Sequence, residues 1–309
     1  MTRDEVMNSI ALKKRFCKDC NLSIAVFDNP YFYERLQTLD ILEDCIDKFD
    51  VFCNELQQFA NEQEYFEYYN NVKDSMIAFI KAVPEYEDFI NADHKCQPCA
   101  SKRNLYVEQN DGRSFVSIDM KKANFSAMRH YSKNIFDNCE TWEQFVSKFT
   151  YSQHIVNSKY IRQVILGACN PKSQIRYEHY LMNILCNHIM ACLPNVSIFS
   201  LGEDEIIIEV PNSGTGFSMR ELKKVVNSCR DGIGILVRVE SFELSKIDDG
   251  WVKSYNDNSG KVDFKCIDAE IYHQVVKHYF GKPITDNDLV FYHNGRLAKF
   301  LKEVNNPWS

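Results

Sequence analysis

The stretch IFSLGEDEIIIEV, residues 198–210, sets three consecutive acids, Glu203, Asp204 and Glu205, between two apolar runs with strong β propensity. Two strands joined by so short a polar link form a hairpin with the carboxylates at its tip. Like charges there repel one another, more strongly near a low-dielectric interior than in water, unless a cation stands among them. Mg²⁺ or Mn²⁺ fits, since such hard cations take one or two protein carboxylates and fill their shells with substrate phosphates and water. A further carboxylate is needed, and FVSID delivers Asp119 at the end of another predicted strand. Asp119 beside Asp204 suits two metals about 3.5–4 Å apart and an in-line phosphoryl displacement. The plain alternative is a solvated acidic turn on a surface hairpin.

The surrounding elements are predicted to bring these acids together. KRNLYVEQNDGRSFVSID reads as strand, Asp-Gly turn and strand. Helical text follows to residue 192, broken by polar loops. Then come strands over 196–201 and 206–210, a helix over 219–229 capped by Ser218 with Glu221, and a strand over 234–243. This β–α–β–β–α–β succession is the split βαβ arrangement, so the expected class is α+β with a ferredoxin-like (RRM-like) antiparallel sheet. NSGTGFS at 212–218 reads as a turn before the capped helix. Upstream, Leu42, Cys45, Phe49, Phe52, Leu56 and Phe59 mark one helical seam over 33–60. Tyr69, Val72, Met76, Phe79 and Val83 mark a second, opened by Asn61 and Glu64, and together they predict a helical hairpin. Past residue 246 the pattern predicts strands over 251–255 and 262–266, a helix over 269–280, an Asn294-Gly295 turn and a short C-terminal helix.

IDMKKANFS resembles motif A of reverse transcriptases and related right-hand palm polymerases, through Asp119, Ala123 and Phe125. RQVILGACNPKSQIRYEHYLM resembles motif B through Gly167 and Pro171, although Leu166 stands where the family places Gln. LGEDEII resembles motif C, with Asp204 and Glu205 in the two acid positions and Glu a departure in the second. Forty-four residues separate Asp119 from Gln163, and forty-one separate Gln163 from Asp204, close to the family's order and intervals. The three motifs cover roughly residues 100–250.

The resemblance implies template-directed nucleotidyl transfer of the reverse transcriptase or RNA-dependent polymerase type. Asp119, Asp204 and Glu203 would be Mg²⁺ or Mn²⁺ ligands, Glu205 the further catalytic acid and Lys246 a general acid. Lys121, Lys122, Lys172 and Arg176 would hold the triphosphate, with Arg103 and Arg113 as fingers cations. Each of these basic residues also reads as a solvated surface charge. Gly167 and Phe125 complete the substrate-binding motifs. Asn124 stands where retroviral enzymes place a bulky aromatic, so ribonucleotides are expected to be accepted. The expected organisation is a helical module over 1–100, a palm over 101–245 with a fingers-like hairpin at 101–118, and a thumb-like region over 246–309. Template and primer are the expected partners, with a partner subunit compensating for the small thumb. Rival readings are a nucleotide cyclase or a 3′–5′ adding enzyme, whose palms lack the motif B helices between the two acids, or a non-catalytic palm that binds nucleic acid.

Across 309 residues the net charge of −7 arises mainly from the N-terminal third, so any phosphate-binding surface belongs to the rest of the chain. The apolar runs are too short for a membrane helix, and MTRDEVMNSIALKKRF lacks the apolar core of a secretory signal. The twelve cysteines are therefore expected in a reducing, cytoplasmic compartment. CKDC and CQPC place Cys17, Cys20, Cys96 and Cys99 as a structural Zn²⁺ clamp at the base of the helical hairpin, with His94 as a substitute ligand; free thiols or one redox pair is the alternative.

Overall fold

Val116, Ile118 and Met120 alternate with Phe115, Ser117 and Asp119, and the first three are at most 2% exposed. The alternation makes β1 (Arg113–Met120) a strand with two distinct faces. The computed structural model describes residues 1–210, 217–247, 250–257 and 259–300. In it β1 lies inside a six-stranded antiparallel sheet with β2 (Ser197–Leu201), β3 (Glu205–Glu209), β4 (Val237–Ile247), β5 (Gly250–Tyr255) and β6 (Val262–Lys265). The order is β2-β3-β1-β4-β5-β6. β1 is antiparallel to β3 and β4, and β3 to β2. Hence β1 and β2 are parallel with β3 between them, and β3 and β4 are parallel with β1 between them. A separate hairpin joins β7 (Val290–His293) to β8 (Arg296–Lys299).

The helices are, in chain order, α1 (Arg3–Asn8), α2 (Ile10–Cys20), α3 (Tyr31–Leu39), α4 (Cys45–Leu56), α5 (Glu62–Ala82), α6 (Pro84–Asn91), α7 (Ala123–Tyr131), α8 (Trp142–Val146), α9 (Gln153–Asn157), α10 (Lys159–Gly167), α11 (Pro171–Cys192), α12 (Met219–Ile233) and α13 (Tyr272–Tyr279). The chain divides into two compact units, neither continuous in sequence. One holds residues 1–73, 146–162 and those from 267 onward; the other holds 74–145 and 163–266. This differs from three modules following one another along the chain.

In the first unit, Phe16 packs on Phe49 and Phe52 at ring separations of 5.0 and 5.5 Å, and His154 lies 4.5 Å from Phe52. Asp19 is buried among Arg15, His154 and the Tyr69 hydroxyl, each at 3.0 Å, and the Ser158 hydroxyl at 3.1 Å. Four donors around one carboxylate leave no buried charge uncompensated. The seam expected over 33–60 is broken into α3 and α4, because the Asp40 carboxylate accepts the Ile46 N–H at 2.9 Å and starts a new helix; Leu42 lies between them. Asn61 caps α5 by accepting the Glu64 N–H at 3.0 Å, while Glu64 reaches back to Ala60 instead of to Asn61. Asn294 and Gly295, both at positive φ, turn the β7–β8 hairpin as expected. The helix expected at the C-terminus lies outside the described residues, as does most of the turn at 212–218.

In the second unit, α11 starts at Pro171 under an Asn170 cap and buries Leu181, Met182, Leu185 and Ile189. It packs on α7, α12, β2 and β3. Ser218 and Glu221 form the predicted capping box of α12, which buries Leu222, Val226 and Cys229 and ends at Gly234 with φ 72°. The sheet face carrying Phe115, Ile207, Phe242, Leu244 and Trp251 packs against Leu105 and Tyr106. Residues 102–107, expected as a fingers strand, form no strand. The Asn104 side chain accepts the Tyr106 N–H at 3.1 Å and Asn110 donates to the Leu105 carbonyl at 2.8 Å, so side chains satisfy the backbone that a ladder would have used.

Candidate active site

Asp119 is opposite Glu205 on β3 and opposite Arg238 on β4. The next residue, Met120, donates its N–H to the Asp204 carbonyl at 2.9 Å. The β2–β3 turn is tight: Gly202 donates to the Glu205 carbonyl at 2.8 Å, leaving Glu203 and Asp204 as the tip. β1 and the hairpin therefore bring Asp119, Asp204 and Glu205 to one end of the sheet.

Their surroundings sort these acids. Burial pushes the Asp119 carboxyl up; Arg238 opposes this, while Glu205 and Asp204 add to it. Burial likewise pushes Asp204 up, with Glu205 and Glu203 reinforcing the shift. Glu203 goes the other way, held below the usual range by Lys102, whose Nζ lies 2.7 Å away. Glu205 accepts the Ser117 hydroxyl at 2.5 Å and lies 3.9 Å from the Lys253 Nζ. Arg238 binds Asp119 through Nη2 at 3.0 Å and Glu240 through Nε at 3.0 Å.

Besides Arg238 and Lys102, two further residues at this end were not singled out from the sequence. Glu178 on α11 is buried, and burial beside Asp204 and Glu203 pushes its carboxyl up to about 7. An acid within the apolar stripe of Tyr177, Leu181 and Met182 was the available signal. Lys253 on β5 is only 6% exposed, its Nζ 4.5 Å from the Phe242 ring centroid and 5.8 Å from that of Tyr106. Burial lowers its pKa, against the pull of Glu205. WVKSY gave a weak signal, a lysine within a strand of otherwise buried residues.

Other expected site residues lie elsewhere. Lys246 pairs with Glu108 at 2.6 Å, eight residues along β4 from Arg238, on the order of 27 Å from the acids at the strand rise. It cannot act as general acid there. Arg113 stands at the far end of β1, bound to Glu209 and, at 2.8 Å, to Asn110. Lys122, at φ 50°, pairs with Glu143. Phe125 packs in the core, 4.7 Å from Phe136 and 6.0 Å from Trp142. Asn124 accepts the N–H of Phe125 at 3.0 Å through Oδ1, leaving Nδ2 as a donor. Lys121, Lys172 and Arg176 are exposed, with Arg176 donating to the Ser173 hydroxyl at 3.1 Å. Gly167 ends α10, with nothing within 4 Å of the position of a Cβ. Arg103 lies over the Phe199 ring, 6.0 Å from its centroid.

Among the described residues, Cys17, Cys20, Cys96 and Cys99 are part of no group of side chains that could hold a metal ion. Cys17 and Cys20 belong to the first unit and Cys96 and Cys99 to the second. Cys17 and Cys20 lie on the helix α2 instead of a knuckle turn. Burial pushes the Cys17 thiol up and raises Cys20 to about 12. Cys99 has thiol neighbours in both Cys96 and Cys186. His94 packs on Tyr177 at 4.4 Å. All twelve cysteines are free. Among the described residues, no group of three or more His, Cys, Asp and Glu side chains is arranged to hold a metal ion. No described helix is long and apolar enough to cross a membrane.

Comparison of the chain with known protein families, curated proteins and solved structures finds no match.

Proposed function

We propose that this chain is a template-directed nucleic-acid polymerase of the palm type, which transfers nucleotidyl groups and accepts ribonucleotides. The observation that carries the reading is the approach of Asp119 on β1 to Asp204 and Glu205 of the β2–β3 hairpin, in a sheet ordered β2-β3-β1-β4. With α7–α11 between β1 and β2, and α12 between β3 and β4, that order supports a reading as two interlocked split βαβ units, the ferredoxin-like arrangement proposed for a palm. The long α11 between the two acids favours a polymerase over a cyclase or a 3′–5′ adding enzyme.

The donors fit a hard divalent cation. Asp119 and Asp204 are carboxylates whose mutual repulsion and burial a cation relieves, and Mg²⁺ requires only one or two protein carboxylates when substrate phosphates supply the rest. Such a cation, Mg²⁺ or Mn²⁺, supplies activation of a primer hydroxyl and neutralisation of the leaving pyrophosphate. The protein's own residues bind and orient. Asp119 and Asp204 hold the cation, Lys121, Lys172 and Arg176 offer exposed charge to the triphosphate, and the Asn124 Nδ2 group donates to a ribose 2′-hydroxyl. Template and primer bind along the same end of the sheet.

The Arg238–Asp119 ion pair favours a second reading, a non-catalytic palm that binds nucleic acid with its first acid already neutralised. Primer extension with NTPs or dNTPs and Mg²⁺ or Mn²⁺ separates the two. The polymerase reading expects extension by the wild type and a loss of at least about 100-fold in Asp119→Ala and Asp204→Asn, the scale of removing a charge-stabilising group from an active site. Binding without extension supports the second reading. Asn124→Tyr is expected to shift preference toward dNTPs; extension with dNTPs alone, or an unchanged preference in the variant, removes the assignment of Asn124.

A further inference from the structure

A lysine in the middle of a sheet, with its ammonium out of water, needs a reason. The Lys253 Nζ lies between Phe242 and Tyr106, ring contacts that hold a desolvated cation in place. Beyond them it meets Glu205, 3.9 Å away, whose carboxylate also accepts the Ser117 hydroxyl at 2.5 Å. Glu203 is bound by Lys102 on the other side of the tip. At the tip, Asp204 forms no ion pair among the described residues, and its carbonyl accepts the N–H of Met120, the residue next to Asp119, at 2.9 Å.

We propose that Lys253 is a positioning residue: its caged ammonium claims Glu205 for the protein, so that Asp119 and Asp204, and not Glu205, take the divalent cation. This rests on the nucleotidyl-transfer reading for its purpose, but its prediction concerns cation binding and can be measured separately. In the family resembled, motif C offers two acids in sequence, and Lys253 decides between them. An arginine in the same cage retains the charge; a methionine keeps the apolar stem and releases Glu205.

The test is Mn²⁺ binding to the full chain, by calorimetry and by the electron paramagnetic resonance signal of free Mn²⁺, with primer extension run in parallel. Asp119→Asn and Asp204→Asn are expected to weaken Mn²⁺ about tenfold or more, and Glu205→Gln by no more than about threefold. Lys253→Met is expected to tighten Mn²⁺ binding by about threefold or more, by removing a competing cation and freeing a carboxylate; adding Glu205→Gln to it reverses that gain, and Lys253→Arg behaves as wild type. Glu205→Gln weakening Mn²⁺ as much as Asp204→Asn, or Lys253→Met leaving its affinity unchanged, overturns the proposal. If Lys253→Met does not fold, the comparison of Glu205→Gln with Asp204→Asn decides alone. The expected Mn²⁺ pattern without primer extension defeats the polymerase reading and leaves the Lys253 assignment standing. A wild-type chain that binds no Mn²⁺ overturns both.

Discussion

Glu178 approaches the acid cluster from α11, and its pH behaviour follows from that position. Its carboxyl, ordinarily near 4.5, is pushed up to about 7 in the folded chain. The folded state therefore holds this proton more tightly than the unfolded state does. The resulting stability is complete below about pH 4.5 and is lost as the pH rises toward 7. Glu178→Gln removes the titration, so urea denaturation should show the variant gaining on the wild type across that window, by at most about 3 kcal/mol. Parallel stability profiles would refute the assignment. At this scale the sequence was informative where chemistry depends on residue type and spacing: Asp119, Asp204 and Glu205 do come together. It was silent on Glu178, Lys253 and Arg238, because their importance comes from the strand partner or helix face they meet, which side-chain identity does not encode. Lys246, expected as a general acid, lies at the other end of its strand for the same reason.

The β2–β3 hairpin positions Asp204 as an element. A Cβ on Gly202 would meet the Glu205 carbonyl oxygen at 3.3 Å, the same atom that accepts the Gly202 N–H. Gly202→Ala should loosen this bond and shift the tip, lowering stability by about 1 kcal/mol and weakening Mn²⁺ binding together. A stability loss without a change in Mn²⁺ affinity would show that the tip does not locate the cation. α12 offers a control away from the tip. Ser218→Ala removes a capping box and should cost about 1 kcal/mol, leaving Mn²⁺ affinity within the error of the calorimetry. The strands of the sheet and the cap of α12 were legible because alternation and capping are local patterns. The supposed strand at 102–107 was not, because Asn104 and Asn110 bond to the backbone in a way that an apolar alternation conceals.

At the scale of the molecule, helical periodicity marked the N-terminal region but not what completes it. Residues 1–73 share a unit with 146–162 and with residues from 267 onward, and His154, Ser158 and Thr150 supply partners to Asp19 and Tyr68. Arg35 donates to the Val290 carbonyl at 2.6 Å, and Asn287 to Glu34 at 2.8 Å. A fragment of residues 1–100 should therefore lack a cooperative unfolding transition, because it loses His154 and Ser158, two of the four donors to the buried Asp19, together with the later segments that complete the unit. A sharp thermal transition in that fragment would disprove this. During translation, the aromatic residues of the N-terminal segment leave the ribosome long before the chain that encloses them. They wait exposed while about two hundred further residues are made, at roughly 5–20 residues per second. Nascent chains of this protein should accordingly depend on chaperones until the segment around Val290 has emerged.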